Sequence, residues 1–211
     1  MKAVLFDLDG TLHDRNATLR AWLPGHAARF GLPEAYAARF MELDDFGYRS
    51  KREVIPQLVQ ELGLSCEAAD LLAHYHTALD HAQAMPQAHE VLRELRGRGM
   101  RISVVTNGWV EAQTRCMSVC GLTDLVDDVV ISQGVGLSKP DPRVYTHALE
   151  RLGVSAAEAW FVGDSPRNDV WGPQQVGLRA AYLPTGHALT GQTPDATLRD
   201  LRDVLSLLPR P

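Results

Sequence analysis

Four short stretches of this chain carry residues that could do chemistry together. Asp7-Leu8-Asp9-Gly10-Thr11 offers two carboxylates, and Thr106-Asn107-Gly108 offers a hydroxyl and an amide. Lys139-Pro140-Asp141 offers an ammonium, and Gly163-Asp164-Ser165, with Asn168 and Asp169 close behind, brings two further carboxylates. Carboxylates gathered this densely repel one another and raise each other's pKa. A hard divalent cation held by oxygen ligands resolves the conflict. Mg²⁺ suits such a site because it takes one or two carboxylates and completes its octahedron with water and substrate phosphate. Together with Lys139 it would supply the positive charge that a phosphate dianion needs, while Thr106 and Asn107 donate hydrogen bonds to its oxygens.

Each stretch alone has a duller reading. Asp-x-Asp-Gly also opens an EF-hand loop, but the twelfth position would be Thr18 rather than Glu. Thr106-Asn107-Gly108 alone is a turn, Lys139 a solvated loop lysine, and Gly163-Asp164-Ser165 a helix cap. The weight lies in their order along the chain and in where the strands end.

The elements that must position them follow from hydrophobic patterning. Val4 to Phe6 reads as a strand. From Thr18 to about Met85 the pattern is helical, punctuated by Gly31, Pro33 and Gly63. From Pro86 onward helices and strands alternate. A helix through Val91, Leu92 and Leu95 stops at Gly97 and Gly99, and Ile102 to Val105 is a buried strand. A helix at 109–120 and a strand at 129–131 follow. The next helix, 142–152, is capped by Asp141 and closed by Gly153. Trp160 to Val162 is a strand, 169–176 a short helix, 180–183 a last strand, and 194–208 a closing helix. Short apolar strands separated by helices imply a parallel sheet covered on both faces. The expected fold is α/β: a Rossmann-like core from 1–17 and 86–211, with 18–85 inserted as a helical cap over one end of the sheet. In such sheets ligands bind at the carboxyl ends of the strands, where the four stretches fall.

Composition narrows the functions. The formal charge of −5 over 211 residues argues against a nucleic-acid polymer as partner. No apolar run is long enough to cross a bilayer, and Ala3–Phe6 is too short for a signal peptide, so a cytoplasmic protein is expected. The odd cysteine count, Cys66, Cys116 and Cys120, fits a reducing compartment. Cys116 and Cys120, one helical turn apart, read as small apolar residues on a buried helix face. His74, His76, His81 and His89 read as surface or packing histidines. The basic run Tyr48-Arg49-Ser50-Lys51-Arg52 reads either as a solvated helix start or as a substrate-facing patch. Trp109 either stacks on a substrate ring or packs at the start of its helix. Gly134-Val135-Gly136 is too short for a dinucleotide fingerprint. Oligomeric state is left open.

Taken in order, Asp7-Leu8-Asp9-Gly10-Thr11, Val105-Thr106-Asn107, Lys139-Pro140, and Val162-Gly163-Asp164-Ser165 with Asp169 resemble the four motifs of the haloacid dehalogenase-like superfamily. The resemblance covers Lys2 to Asp14 and Pro86 to Leu183, and the helical block sits where that superfamily inserts a cap. It implies a Mg²⁺-dependent phosphatase that hydrolyses a small phosphorylated metabolite through an aspartyl-phosphate. By the same resemblance Asp7 is the nucleophile, and Asp9 the acid that protonates the leaving alcohol and then the base that activates water. Asp7, Asp164 and the backbone carbonyl of Asp9 hold the metal. Thr106, Asn107 and Lys139 bind the phosphoryl group, and Asp169 orients Lys139 or metal-bound water. The run from Thr106 to Tyr182 looks most like the nucleotidase and small-metabolite phosphatase branches, which makes a nucleoside monophosphate the leading expected substrate. A sugar-phosphate mutase would keep every motif. A hydrolytic dehalogenase needs neither metal nor acid, so Asp9 and Asp164 weigh against it. A non-catalytic phosphate-binding regulator would be expected to have lost part of the set.

Overall fold

Two parts of the chain build cores of their own in the computed structural model, which describes residues 1–208. One is Arg15–Gln83; the other joins Met1–Asp14 to the chain from Ala84 onward.

The first part is helical: Arg15–Phe30 (α1), Ala35–Asp44 (α2), Lys51–Glu61 (α3) and Ala68–Tyr75 (α4). Its core gathers Leu19, Trp22, Tyr36, Phe40, Ile55 and Leu58. Trp22 donates its indole N–H to Thr77 Oγ1 at 2.9 Å and stacks on His26, 4.2 Å between centroids. His74 lies against the same ring and meets His26, Nδ1 to Nδ1, at 2.9 Å. Burial, then the neighbouring His74, pulls the His26 pKa down to about 4. His26 and His74 are therefore packing residues, and His76 and His81 are exposed.

The basic run is a helix start with Tyr48, Ser50 and Arg52 exposed, and Lys51 departs from that reading. Ser50 caps α3, its hydroxyl accepting from the Arg52 N–H at 3.2 Å. Lys51, however, turns inward, its Nζ 2.5 Å from Oδ1 of the buried Asp44, which also binds Arg15 through two hydrogen bonds. Arg49 donates to Gln57 Oε1 at 2.8 Å. The lysine is drawn in because a buried carboxylate is tolerable only when paired and hydrogen-bonded.

The second part is a parallel sheet. Ala3–Phe6 (β1), Arg101–Thr106 (β2), Asp128–Ile131 (β3), Ala159–Gly163 (β4), Arg179–Tyr182 (β5) and Ala196–Thr197 (β6) lie in the order β3-β2-β1-β4-β5-β6. All four side chains of β1 are fully buried, as a strand covered on both faces requires. Ala3 and Leu5 join one core with Phe161 and with Val144, Tyr145 and Ala148. The pleat therefore turns Val4 and Phe6 to the other face. The helices here are Ala88–Gly97 (α5), Val110–Val119 (α6), Ser132–Val135 (α7), Pro142–Leu152 (α8) and Gly172–Gln174 (α9). In α5, Ala88, Val91, Leu92 and Leu95 form the buried stripe that the 3.6-residue period demands, and the helix packs on β2. Asp141 caps α8 by accepting from Arg143 N–H at 2.9 Å, and Gly153 closes it at φ +63°.

The strand order is that of the doubly wound fold, and the direction of winding reverses between β1 and β4. A crevice opens at the carboxyl ends of strands at such a reversal. None of the described helices is long and apolar enough to cross a membrane.

Two predicted helices are corrected. The closing helix over 194–208 is instead β6 followed by a short helical stretch, Leu201–Ser206. Asp195 Oδ2 accepts from Ala180 N–H at 2.8 Å, and Leu198 N–H donates to Tyr182 O at 2.8 Å. Pairing to β5 thus outweighs local helical preference. The short helix over 169–176 begins earlier, as a π-helical turn at Pro166–Trp171 with Ser165 Oγ accepting from Asn168 N–H at 3.2 Å.

Removing the charge of Asp44 would leave Arg15 and Lys51 facing each other without a counter-ion. Asp44→Asn is expected to lower stability by about 3–5 kcal/mol, while Arg52→Ala, on the exposed side of the same run, changes it by less than about 0.5 kcal/mol. Urea midpoints of the two variants check the contrast.

Candidate active site

The chain leaves β1 at Asp7, whose N–H still donates to Val162 O at 2.9 Å, and then turns back on itself. The N–H groups of Thr11, Leu12 and His13 all reach Leu8 O, and Gly10 N–H donates to His13 O at 2.9 Å. Gly10 sits at φ +80°, and a Cβ there would come within 2.2 Å of Asp164 Oδ2. Only glycine permits that turn and that approach. The loop after β4 is built as tightly: a Cβ on Gly163 would lie 2.4 Å from the Asp169 carboxyl.

Four of the expected residues meet at the β1–β4 crevice. Lys139 Nζ lies 2.7 Å from Asp7 Oδ1 and 2.8 Å from Asp169 Oδ1. Asp169 Oδ2 accepts from Ser165 N–H at 2.9 Å, which fixes the carboxylate against the strand end. Carboxylate oxygens of Asp7, Asp164 and Asp169 lie within 4.8 Å of one another, and all three residues are buried. Asn107 and Lys139 are locked reciprocally: Asn107 Nδ2 donates to Lys139 O at 2.9 Å, and Lys139 N–H to Asn107 Oδ1 at 2.8 Å. The Lys139-Pro140 peptide is cis. Thr106 ends β2 beside Asn107, buried. The side-chain amide of Asn107 is therefore spent on positioning Lys139, a use that the sequence did not disclose.

Burial drives the Asp7 carboxyl above the ordinary carboxylate range. Lys139 opposes the shift, and Asp169 and Asp9 add to it. Burial and then Asp7 and Asp169 push Asp164 up in the same way. Burial disfavours the Lys139 ammonium, but Asp169 and Asp7 outweigh it and hold the group charged. Two like charges about 4 Å apart cost about 4 kcal/mol at an effective dielectric of about 20. Lys139 thus offsets only part of the repulsion among three buried carboxylates. The donor set is all oxygen, its charge is only partly compensated, and the Gly10 approach leaves Asp164 close to the β1 loop. These residues fit a hard divalent cation.

Asp9 is held apart from this cluster. His13 Nδ1 lies 2.6 Å from Asp9 Oδ1, and Gln113 Nε2 donates to Asp9 Oδ2 at 3.1 Å and to Asn107 O at 2.9 Å. Sequence reasoning missed both partners. His13 follows the first motif directly, and its position was the available signal; Gln113 lies within α6 and has no local one.

The sequence matches the family profile of haloacid dehalogenase-like hydrolases over residues 1–177. The chain belongs to that family. It is 32% identical to a phosphoserine phosphatase of Thermus thermophilus over 90% of this chain and 79% of the relative. It is 29% identical to a glyceraldehyde 3-phosphate phosphatase of Pyrococcus abyssi over 88% and 82%. Among solved structures, the magnesium-bound HAD-hydrolase YfnB of Bacillus subtilis shares the fold, with a TM-score of 0.82, 23% identity and coverage of 98% of this chain and 97% of the other.

Other singled-out residues of this hydrolase lie elsewhere. Asn168 contributes its backbone carbonyl, which accepts from Tyr145 Oη–H. Trp109 is 68% exposed where α6 begins, so it does not pack there. His89 donates its Nε2–H to Cys120 O at 2.8 Å, a contact that leaves the imidazole a packing role.

Gly10→Ala should cost about 1–2 kcal/mol of stability from the backbone alone. It should also weaken divalent-cation binding at least tenfold by displacing Asp164, as titration calorimetry would register. Unchanged affinity would remove Asp164 from the ligand set.

Proposed function

We propose that this chain is a Mg²⁺-dependent phosphoric monoester hydrolase that works through an aspartyl-phosphate on Asp7. The observation that carries the reading is the Lys139 ammonium bonded to both Asp7 and Asp169 beside Asp164 at the β1–β4 crevice. In this reading the sheet unit is the catalytic core, the helical unit Arg15–Gln83 is the cap, and the protein works in the cytoplasm.

Lys139 fixes the plane of the Asp7 carboxylate through Oδ1. A carboxylate oxygen of Asp7 attacks phosphorus, the bond from phosphorus to the ester oxygen breaks, and Asp9 gives its proton to that oxygen as the alcohol leaves. Asp9, now a carboxylate, takes a proton from water as the water oxygen attacks phosphorus. The bond from phosphorus to Asp7 then breaks, releasing phosphate and restoring both carboxyl groups. Thr106 and the backbone around Asn107 face the phosphoryl oxygens, and Lys139 offsets their charge. Mg²⁺, held by the Asp7 and Asp164 side chains and the Asp9 carbonyl, would supply further positive charge to those oxygens. Positioning and charge stabilisation account for most of phosphoryl-transfer catalysis, and these groups supply both. His13 and Gln113 hold the two Asp9 oxygens and set the direction in which its proton leaves.

The substrate in this reading is a small phosphomonoester. The exposed ring of Trp109, two residues from Asn107, favours a nucleoside monophosphate; the relatives' names favour phosphoserine and other small phosphate esters. Comparing kcat/KM for nucleoside monophosphates, phosphoserine, phosphoglycolate and hexose phosphates decides between them. A nucleotide lead of about tenfold, about 1.4 kcal/mol, that narrows in Trp109→Ala supports the first. A lead for another ester overturns the nucleotide assignment and leaves the hydrolase standing.

Phosphate release should stop in EDTA and return with Mg²⁺, with Ca²⁺ a poor substitute because its larger, variable shell misplaces the phosphate. Full activity in excess chelator would refute the metal requirement. Asp9→Asn should slow alkyl phosphates far more than aryl phosphates, whose leaving groups need little protonation. Equal slowing of both would show that Asp9 is not the proton donor.

A further inference from the structure

We propose that Asp9, His13 and Cys116 form a second metal site, thiophilic rather than hard, and that Zn²⁺ bound there arrests the enzyme. The site shares no side chain with the Asp7–Asp164–Asp169 carboxylates: Gln113 and Cys116, three residues apart on one face of α6, come down on the loop that β1 leads into. One ligand atom from each of Asp9, His13 and Cys116 lies within 4.8 Å of the other two. Tetrahedral zinc with ordinary bond lengths puts its ligand atoms about 3.3–3.6 Å apart, so closure around the ion needs small side-chain movements only. His13 and Cys116 are buried, and the Asp9 side chain keeps 34% of its surface open, which gives the ion a way in.

The donor set decides the ion. Oxygen, nitrogen and sulfur together suit Zn²⁺, whereas Mg²⁺ prefers the all-oxygen cluster next door. Three protein ligands leave a fourth position for water. On binding, the Cys116 thiol proton and the proton shared by His13 Nδ1 and Asp9 Oδ1 both pass to solvent, and the freed Asp9 oxygen and imidazole nitrogen turn to the metal. The inhibition rests on the role proposed above for Asp9, since a carboxylate bound to zinc can neither give nor take the proton; the binding itself does not rest on it.

Co²⁺ reports on the site without any turnover. In saturating Mg²⁺, which occupies the carboxylate cluster, the full-length protein should take up one Co²⁺ with a thiolate-to-cobalt charge-transfer band that Zn²⁺ abolishes. Cys116→Ser should lose the band and Cys120→Ser should keep it. Cys116→Ser should also raise the Zn²⁺ concentration for half-inhibition at least tenfold, with zinc-free turnover unchanged. No charge-transfer band in the native protein would overturn the site, whatever the fate of the variants. Equal zinc inhibition of the native protein and Cys116→Ser would overturn it too, assigning the inhibition to displacement of Mg²⁺. A band with no effect of Zn²⁺ on turnover would establish the site and overturn the arrest.

Discussion

Three buried carboxylates whose oxygens lie within 4.8 Å of one another, with one ammonium bonded to two of them, set the terms for the rest of the sheet unit. Such a cluster is costly to fold, and much of the surrounding architecture serves to hold it. Asp7 and Asp164 arrive from β1 and β4, the strands between which the winding reverses. Gly10 and Gly163 give up side chains so that Asp164 and Asp169 can approach the backbone. Lys139 comes from a loop with no strand beneath it, and its two backbone bonds to Asn107 replace the rigidity that a strand would supply. Burial first, and the neighbouring carboxylates after it, raise the pKa values of Asp7 and Asp164, and an oxygen-rich cluster so disfavoured as bare anions fits a cation.

Asp9 answers to a different constraint. In the proposed mechanism it holds and releases a proton, and it is kept out of the Lys139 network by contacts to His13 and Gln113. Its neighbours offer a different chemistry. The carboxylate cluster presents hard oxygen donors suited to Mg²⁺, while Asp9 keeps company with an imidazole and a thiol suited to softer metals. A single two-residue step along the chain, from Asp7 to Asp9, separates the two environments.

Much of this was legible in the sequence because every motif except that of Lys139 directly follows a strand, and strands announce themselves by apolar runs. The α8 boundaries were legible for the same reason: Asp141, Pro142 and Gly153 act locally. What escaped depends on contacts made across the fold. Gln113 looks like any polar helix residue until α6 docks beside Asn107. Cys116 reads as a small apolar filler, and it is buried, yet its sulfur lies beside Asp9. The tail over 194–208 carries helical preferences that the ladder to β5 overrides. Lys51 looks solvated until Asp44, seven residues away, is found buried and in need of a partner.

If the phosphoryl group passes through Asp7, the stereochemical course at phosphorus records the passage. Each in-line displacement inverts the configuration, so two successive displacements restore it. Hydrolysis of an isotopically chiral aryl phosphorothioate should therefore give thiophosphate with retained configuration. Inversion would mean that water attacks the substrate directly and that Asp7 carries no phosphoryl group.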